Sequence, residues 1–138
     1  MDILHRPNGY FDELFTQPAE VLSYAVAELT GKDFDTIVGS GLSGTVAATL
    51  IAHQMGKNLV VVRKATENSH SSNLIEGKLG KRWIFIDDFI ASGATLSRCK
   101  DAVRATALGY AFDTQYVGAY LYARRSNTYA PAWEDAPL

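Results

Sequence analysis

The sequence predicts a three-layer α/β fold, in which helices flank a mainly parallel β-sheet. Two observations support this prediction. Segments with helical periodicity alternate with short strand-like segments along the chain, which is typical of a sheet with helical crossovers. The strand-like segments at 58–62 and 84–86 contain continuous apolar runs, at 59–62 and 84–86, rather than alternating patterns, as expected of strands that are buried on both faces.

Length and composition indicate one globular domain spanning residues 1–138. The chain is 47% hydrophobic and 20% charged, and its net charge of −2 lacks the positive excess of a nucleic-acid-binding protein. No apolar run reaches the roughly 18 residues of a membrane span, and the N-terminus has no secretory signal pattern. A cytoplasmic protein without a membrane or nucleic-acid partner is therefore expected. The single cysteine, Cys99, excludes an internal disulfide.

The first element that the sequence predicts clearly is a helix that begins at Pro18 and ends before Gly31. Proline is favoured in the first turn of a helix, and glycine commonly follows the last. Apolar residues recur between them at helical spacing, namely Val21, Leu22, Ala25 and Leu29. A short strand is expected next, at 34–38.

A glycine-rich hexapeptide, Gly39-Ser40-Gly41-Leu42-Ser43-Gly44, follows this strand and precedes a helix expected at 45–55. It is a literal G-x-G-x-x-G pattern, which is typical of dinucleotide-binding oxidoreductases. Such proteins usually carry an acidic residue at the end of the next strand, where this chain has Arg63-Lys64. An arginine can instead bind a 2′-phosphate, so this alternative stays open.

Residues 83–96 contain the most specific pattern in the chain. The apolar run Ile84–Ile86 predicts a buried strand, and two adjacent carboxylates, Asp87 and Asp88, follow where that strand should end. Small residues at 91–95 then form a turn that opens a helix. Small residues let a phosphate approach the backbone, and the amides at a helix start bind anions. The carboxylates would repel a phosphate, so we expect them to face sugar hydroxyls or a cation.

The dozen residues Ile84–Thr95 resemble the binding signature for phosphoribosyl pyrophosphate (PRPP) of the type I phosphoribosyltransferases. The resemblance implies transfer of 5-phosphoribose from PRPP to a ring nitrogen of a purine or pyrimidine base, with release of pyrophosphate, in nucleotide metabolism or salvage. It also implies that Asp87 and Asp88 are catalytic and hold the ribose hydroxyls and Mg²⁺, directly or through water. Members of the family are commonly dimers, so a homodimer is expected.

The resemblance also implies which residues bind the phosphates of PRPP. They are Ala91, Ser92, Gly93, Ala94 and Thr95 in the signature, Leu42, Ser43 and Gly44 after the first strand, and Arg63 and Lys64 after the second. In the family, an amide after the first strand contacts pyrophosphate, often across a non-proline cis peptide bond. Leu42–Ser43 is the matching bond. Many members carry a basic residue in place of Ser43, but the amide does the binding.

A long polar segment at 65–82 resembles the flexible loop that closes over the reacting centre in this family. Closure would exclude water, which otherwise hydrolyses the activated sugar. His70 lies near the expected tip of this lid and is a candidate catalytic residue that would support the pyrophosphate leaving group. An exposed histidine without a catalytic role is the alternative.

The base-binding residues expected from the resemblance are Phe89, Ile90 and Trp133. The tail 124–138 resembles the hood that covers the base in the bacterial xanthine-guanine type, with Trp133 stacking on the base. Ala91 indicates a different base, because relatives that use 6-oxopurines commonly have an aspartate at this position, whereas relatives that use adenine or orotate do not. The two clues conflict, so the sequence does not identify the base.

Two further elements complete the chain. A helix follows the signature and ends at Gly109, with an apolar face formed by Leu96, Cys99, Val103, Ala107 and Leu108. Residues 115–123 alternate, with Tyr116, Tyr120 and Tyr122 on one face, which predicts a half-exposed strand.

A non-catalytic regulatory protein of the same fold, which binds PRPP or a nucleotide, is the main alternative function. A local basic patch formed by Lys78, Lys81 and Arg82 would give it a nucleic-acid surface despite the acidic balance of the chain. Salt-dependent binding of DNA or RNA would distinguish such a regulator from an enzyme.

Overall fold

The computed structural model describes residues 13–64, 74–124 and 131–137, and the structural statements below concern these ranges. The elements follow in the order α1 (Glu13–Thr16), α2 (Pro18–Leu29), β1 (Thr36–Ser40), α3 (Gly41–Met55), β2 (Asn58–Val62), β3 (Ile75–Gly77), β4 (Arg82–Asp87), α4 (Ala94–Gly109), β5 (Gln115–Leu121), a 3-10 turn (Tyr122–Arg124) and β6 (Trp133–Asp135). None of the described helices is long and apolar enough to cross a membrane.

The strands form one mixed sheet in the order β3-β2-β1-β4-β5-β6. The four central strands are parallel, whereas β3 and β6 pair antiparallel at the two edges. Helices α2 and α3 pack on one face of the sheet and α4 packs on the other. The predicted three-layer, mainly parallel α/β fold is therefore confirmed, and so are the predicted start of α2 and the bounds of β2.

The central strand β4 contributes to two separate core clusters. Ile84 and Ile86 lie in the cluster against α2 and α3, whereas Trp83 and Phe85 lie in the cluster against α4. Successive side chains on a strand point to opposite faces of the sheet. Because helices cover both faces, both sets are buried, which explains the continuous apolar run in the sequence.

The junction between β1 and α3 differs from the prediction. We expected a strand at 34–38, a glycine-rich loop and a helix from residue 45. Instead β1 ends at Ser40 and α3 begins at Gly41, so most of the hexapeptide lies in a helix. The strand is longer at its carboxyl end because its pairing with β2 continues as far as Ser40↔Val62.

The prediction for β5 is wrong in two respects. Tyr116 packs against the α4 cluster, whereas Tyr120 packs on the opposite face. The cause is a register shift: Trp83 pairs with Tyr116 but Ile84 pairs with Gly118, so one extra residue in β5 reverses the alternation. The strand is also not half-exposed, because residues 118–121 are fully buried.

The apolar face of α4 is largely as predicted, with one exception. Cys99, Val103 and Ala107 are buried, but Leu108 points away from the core and is 74% exposed. Burial raises the pKa of the Cys99 thiol from 9.0 to about 11. The thiol is therefore neutral near pH 7 and packs as a small apolar side chain.

We expect Cys99 to be unreactive in the folded protein. Raising its pKa from 9.0 to about 11 lowers the thiolate fraction near pH 8 by roughly a hundredfold, and the thiolate is the reactive form. Labelling with a chromogenic thiol reagent should be at least that much slower in buffer than in urea. The unfolded chain loses this proton first, so stability should fall as the pH rises above about 9. Equal labelling rates in buffer and urea would contradict this packing.

Candidate functional site

The carboxyl ends of the parallel strands meet at one edge of the sheet, and two helices begin there. Ser40 pairs with Val62 at the ends of β1 and β2, and Asp87 pairs with Leu121 at the ends of β4 and β5. Helix α3 begins directly after β1, and α4 begins seven residues after β4. Open α/β sheets bind ligands at this edge, where helix N-termini present amide donors.

A cavity of about 170 Å³ lies between the end of β4 and the start of α4. It is lined by Phe85, Asp87, Asp88, Phe89, Ile90, Ala91, Ser92, Gly93, Ala94, Thr95 and Leu96. The structure thus brings the signature residues from Asp87 to Thr95 together around one cavity, while their roles stay predictions. A larger cavity of about 450 Å³ is lined by residues of α4, the start of β5 and 136–137, and by no signature residue.

The backbone turns where the two carboxylates stand. β4 ends at Asp87 and the chain bends at Asp88. The Asp88 amide donates to Asp87 Oδ1 at 2.9 Å, and the Phe89 amide donates to Asp88 Oδ1 at 2.7 Å. On a continuing strand the two side chains would point to opposite faces. The bend therefore permits both carboxylates to face one ligand.

The start of α4 has no side chain that caps its amides in the usual way. Its N-cap is Gly93, which has no side chain and a φ of +83°, a left-handed conformation that favours glycine. The Ser92 hydroxyl accepts a hydrogen bond from the Ala94 amide at 3.3 Å. A helix start of this kind suits an anion.

The start of α3 is also left without its usual cap. Its N-cap is Ser40, a residue type that normally accepts a hydrogen bond from the first helical turn, but its hydroxyl does not do so here. That hydroxyl donates instead to the Val62 carbonyl at 2.7 Å and accepts from Arg98 Nη2 at 3.1 Å. The amides of Leu42 and Ser43 thus have no cap from Ser40.

The predicted cis peptide bond at Leu42–Ser43 is wrong, because no described bond is cis. Both residues lie in the first turn of α3, where regular helical geometry requires trans bonds. Gly44 follows on the side of the carboxylates, since a Cβ on it would lie 3.3 Å from Asp87 Oδ1. The two helix starts therefore flank the same carboxylate.

The predicted basic pair follows β2 at the same edge. The Arg63 guanidinium pairs with the Glu76 carboxylate on β3, and the Arg63 amide donates to the Leu74 carbonyl at 2.7 Å. Lys64 is exposed. The ion pair is also exposed, and pairs of this kind contribute little stability, so an anion can compete for Arg63 at small cost.

The surroundings of Trp133, the predicted base-stacking residue, are set by the sheet. Trp133 belongs to the edge strand β6, and a Cβ on Gly118 would lie 2.5 Å from its Cζ2 atom. Gly118 pairs with Ile84, three residues before Asp87. Lys32 Nζ, from the opposite end of the sheet, lies 4.3 Å from the ring centroid. Sheet pairing thus holds this tryptophan on the face of β5, opposite Tyr120, and the base hood over 124–138 stays a prediction.

The predicted lid at 65–82 is only partly described. Residues 65–73, with His70, lie outside the described residues, so the catalytic role of that histidine stays a prediction. The rest is not one loop. Ile75–Gly77 form β3, which pairs with β2, and Arg82 begins β4.

Arg98 and Ser40 are site-edge residues whose contact the sequence did not predict. They stand 58 positions apart, on α4 and β1, and their hydrogen bond depends on how the helix packs across the sheet. The glycine-rich pattern marked the neighbourhood of Ser40, but no local pattern pointed to Arg98.

The two carboxylates of the cavity could hold Mg²⁺ only together with ligands from a substrate. The described residues contain no group of three or more His, Cys, Asp or Glu side chains that could hold a metal. Asp87 and Asp88 line the signature cavity, and Mg²⁺ is typically held by one or two carboxylates together with substrate phosphates and water.

Comparison with known proteins agrees with the fold and the signature. No protein-family model matches the sequence. The chain is 36% identical over 75 residues to the transcriptional regulator GfcR of Methanocaldococcus jannaschii, covering 49% of this chain and 36% of that protein. It is 33% identical over 99 residues to GfcR of Thermoplasma acidophilum, covering 67% and 50%. It is 25% identical over 103 residues to orotate phosphoribosyltransferase of Sulfurisphaera tokodaii, covering 74% and 51%.

Solved structures of phosphoribosyltransferases share the fold. Orotate phosphoribosyltransferase from Aeropyrum pernix superposes with a TM-score of 0.64 at 19% identity, over 80% of this chain and 64% of that one. Adenine phosphoribosyltransferase from Rhodothermus marinus gives 0.56 at 20% identity, over 83% and 75%.

The chain therefore has the type I phosphoribosyltransferase fold, and the resemblance found in the signature is confirmed. Its curated relatives include both phosphoribosyltransferases and transcriptional regulators. The chain spans about half or less of the length of these relatives, between 36% and 51%.

The left-handed turn at Gly93 generates a stability prediction with an internal control. Gly93→Ala should lower the free energy of unfolding by about 1–2 kcal/mol, because an L-residue is strained at this φ. Gly109→Ala makes the same chemical change at the other end of α4, where φ is ordinary and no atom lies within 4 Å of the new Cβ. It should be neutral or stabilising, since alanine is the better helix former. Urea unfolding of both variants measures the difference, and equal effects would contradict the turn described here.

Proposed function

We propose that this protein binds PRPP at the carboxyl edge of its sheet and transfers the 5-phosphoribosyl group to a nitrogenous base, releasing pyrophosphate. The cavity lined by residues 87–96 is the observation that carries this proposal. It combines two carboxylates with an anion-binding helix start, which is the combination that a phosphorylated sugar requires.

Each part of PRPP has a matching group at this edge. The 5-phosphate would bind the amides and hydroxyls at 92–95, and the ribose hydroxyls would be held by Asp87 and Asp88. The pyrophosphate would lie toward the first turn of α3, with Arg63 and Lys64 within the same edge. When bound, Mg²⁺ would neutralise charge on the pyrophosphate leaving group.

The carboxylates also suit the transition state. Departure of pyrophosphate leaves positive charge on the ribose, as in an oxocarbenium ion. Fixed negative charge beside the sugar stabilises that state more than the neutral ground state, which is how electrostatic preorganisation accelerates a reaction. The amide hydrogen bonds to both carboxylates hold them in place before the substrate arrives.

We propose orotate as the first base to test. Phe89, Ile90 and Ala91 line the cavity, and Phe89 is 46% exposed. Ala91 lacks the carboxylate expected for 6-oxopurines, and the tryptophan that favoured the xanthine-guanine type packs in β6. The name orotate phosphoribosyltransferase among the relatives supports the same choice.

Neutralising the carboxylates should weaken the use of PRPP. Asp87→Asn and Asp88→Asn keep the shape but lose a charge-assisted hydrogen bond of about 1.5–3 kcal/mol, so each should reduce PRPP binding or turnover roughly ten- to two-hundred-fold. Asp101→Asn is the matched control, because its side chain lies on α4 and is 73% exposed. Circular dichroism verifies the fold. Near-normal use of PRPP by a folded double variant would exclude the proposed site.

Pyrophosphate release from PRPP, measured across orotate, adenine, guanine and hypoxanthine, tests the function itself. We expect orotate or adenine to support release and guanine and hypoxanthine to be poor substrates. Efficient use of guanine would show that Ala91 does not indicate the base.

A PRPP-binding regulator is the second candidate function, and two relatives named as transcriptional regulators favour it. Measuring pyrophosphate release also distinguishes this regulator from an enzyme. A regulator would bind PRPP in equilibrium titrations without releasing pyrophosphate for any base. It would also bind DNA with an affinity that falls steeply as salt is added.

A further inference from the structure

Arg98 joins three elements at the carboxyl edge of the sheet. It stands on α4, and its Nη2 donates to the Ser40 hydroxyl at the end of β1 at 3.1 Å. That hydroxyl donates in turn to the Val62 carbonyl at the end of β2 at 2.7 Å. The guanidinium is therefore held at the N-cap residue of α3.

This position is electrostatically unfavourable for a cation. The start of a helix carries partial positive charge, which attracts anions and repels cations. Two more basic residues, Arg63 and Lys64, directly follow Val62. Asp87 provides a negative charge in the same region, since both it and Arg98 influence the pKa of the Cys99 thiol.

The hydrogen bonding of Arg98 is also incomplete. Its Nε atom is buried and has no hydrogen-bond partner among the described residues. A partly buried cation with an unpartnered N–H costs stability, and an apolar side chain of similar length often fills such a space at lower cost. Packing alone therefore does not explain an arginine here, whereas a bound anion would offset both the repulsion and the desolvation.

We propose that Arg98 is a positioning residue for the pyrophosphate end of PRPP. Its charge, held at the N-cap residue of α3 through Ser40, strengthens anion binding by the amides of Leu42 and Ser43, which Ser40 does not cap. The inference rests on the proposed function, in which the two ends of PRPP bind at different helix starts, and it adds a role for Arg98. The 5-phosphate depends on α4, and the pyrophosphate depends on α3 together with Arg98.

Equilibrium titration with PRPP, inorganic pyrophosphate and ribose 5-phosphate tests this division. Arg98→Met should weaken binding of PRPP and pyrophosphate roughly tenfold, the effect of one unit charge several ångströms from a multivalent anion. Ribose 5-phosphate lacks the pyrophosphate group, so its affinity should change by no more than about twofold on the same reasoning. The loss should shrink at high salt, because salt screens a charge effect.

Three further variants separate charge from structure. Arg98→Lys keeps the charge and should largely restore pyrophosphate binding, whereas Arg98→Gln keeps a donor for Ser40 and should not. Arg104→Met removes an exposed arginine from the same helix and should leave all three affinities unchanged. Arg98→Met should be at least as stable in urea as the wild type. If Arg98→Met does not fold, Arg98→Gln replaces it in the titrations.

The outcomes distinguish this inference from the function on which it rests. If the wild type binds neither PRPP nor pyrophosphate, the proposed function fails and the inference fails with it. If the wild type binds both and Arg98→Met binds them equally well, only the inference is overturned. An equal loss for ribose 5-phosphate, or a loss that salt does not reduce, would also overturn it, since it would indicate a structural role.

Discussion

The close approach of α3 to the end of β4 is the constraint on which the site depends. A Cβ on Gly39 would lie 2.5 Å from the Gly44 carbonyl oxygen and 2.7 Å from Ala48 Cβ, distances that no folded chain tolerates without movement. Only glycine at 39 lets the helix pack this tightly on its own strand. Gly44 then reaches Asp87, so the first turn of α3 and the first turn of α4 flank one pair of carboxylates.

Short-range patterns predicted the parts of the fold that short-range chemistry determines. The strand predicted from the apolar run at 59–62 forms β2 with the expected bounds, and Pro18 begins α2, because burial on both faces and a fixed proline φ are local requirements. The predictions for the end of β1 and for the sheet face that Tyr116 occupies were wrong. Both depend on register with a neighbouring strand, through the pair Ser40↔Val62 and the shift in pairing after Trp83.

The residues of the candidate site also fall into two groups, those that local sequence predicts and those whose position depends on packing between distant elements. Residues 87–95 are contiguous, so one stretch of sequence contained both the carboxylates and the helix start that the cavity needs. The direction of Trp133 is fixed by the pairing of β6 with β5, which the residue type alone does not predict. The contact between Arg98 and Ser40 leaves no trace in local sequence, because it exists only once α4 lies across the sheet.

The helix ends at the carboxyl edge of the sheet indicate a ligand site independently of the family resemblance. α3 ends at Met55, and the amide of the following Gly56 donates to carbonyls of the last turn, so that end is capped as a stable helix should be. At the other end, Ser40 is diverted from capping and Arg98 retains an unpartnered buried N–H, while Gly93 begins α4 with no capping side chain. These departures each cost stability, and they occur together where two helix starts face two carboxylates. In a chain whose fold is otherwise specified consistently, such local destabilisation is expected where a bound anion compensates for it.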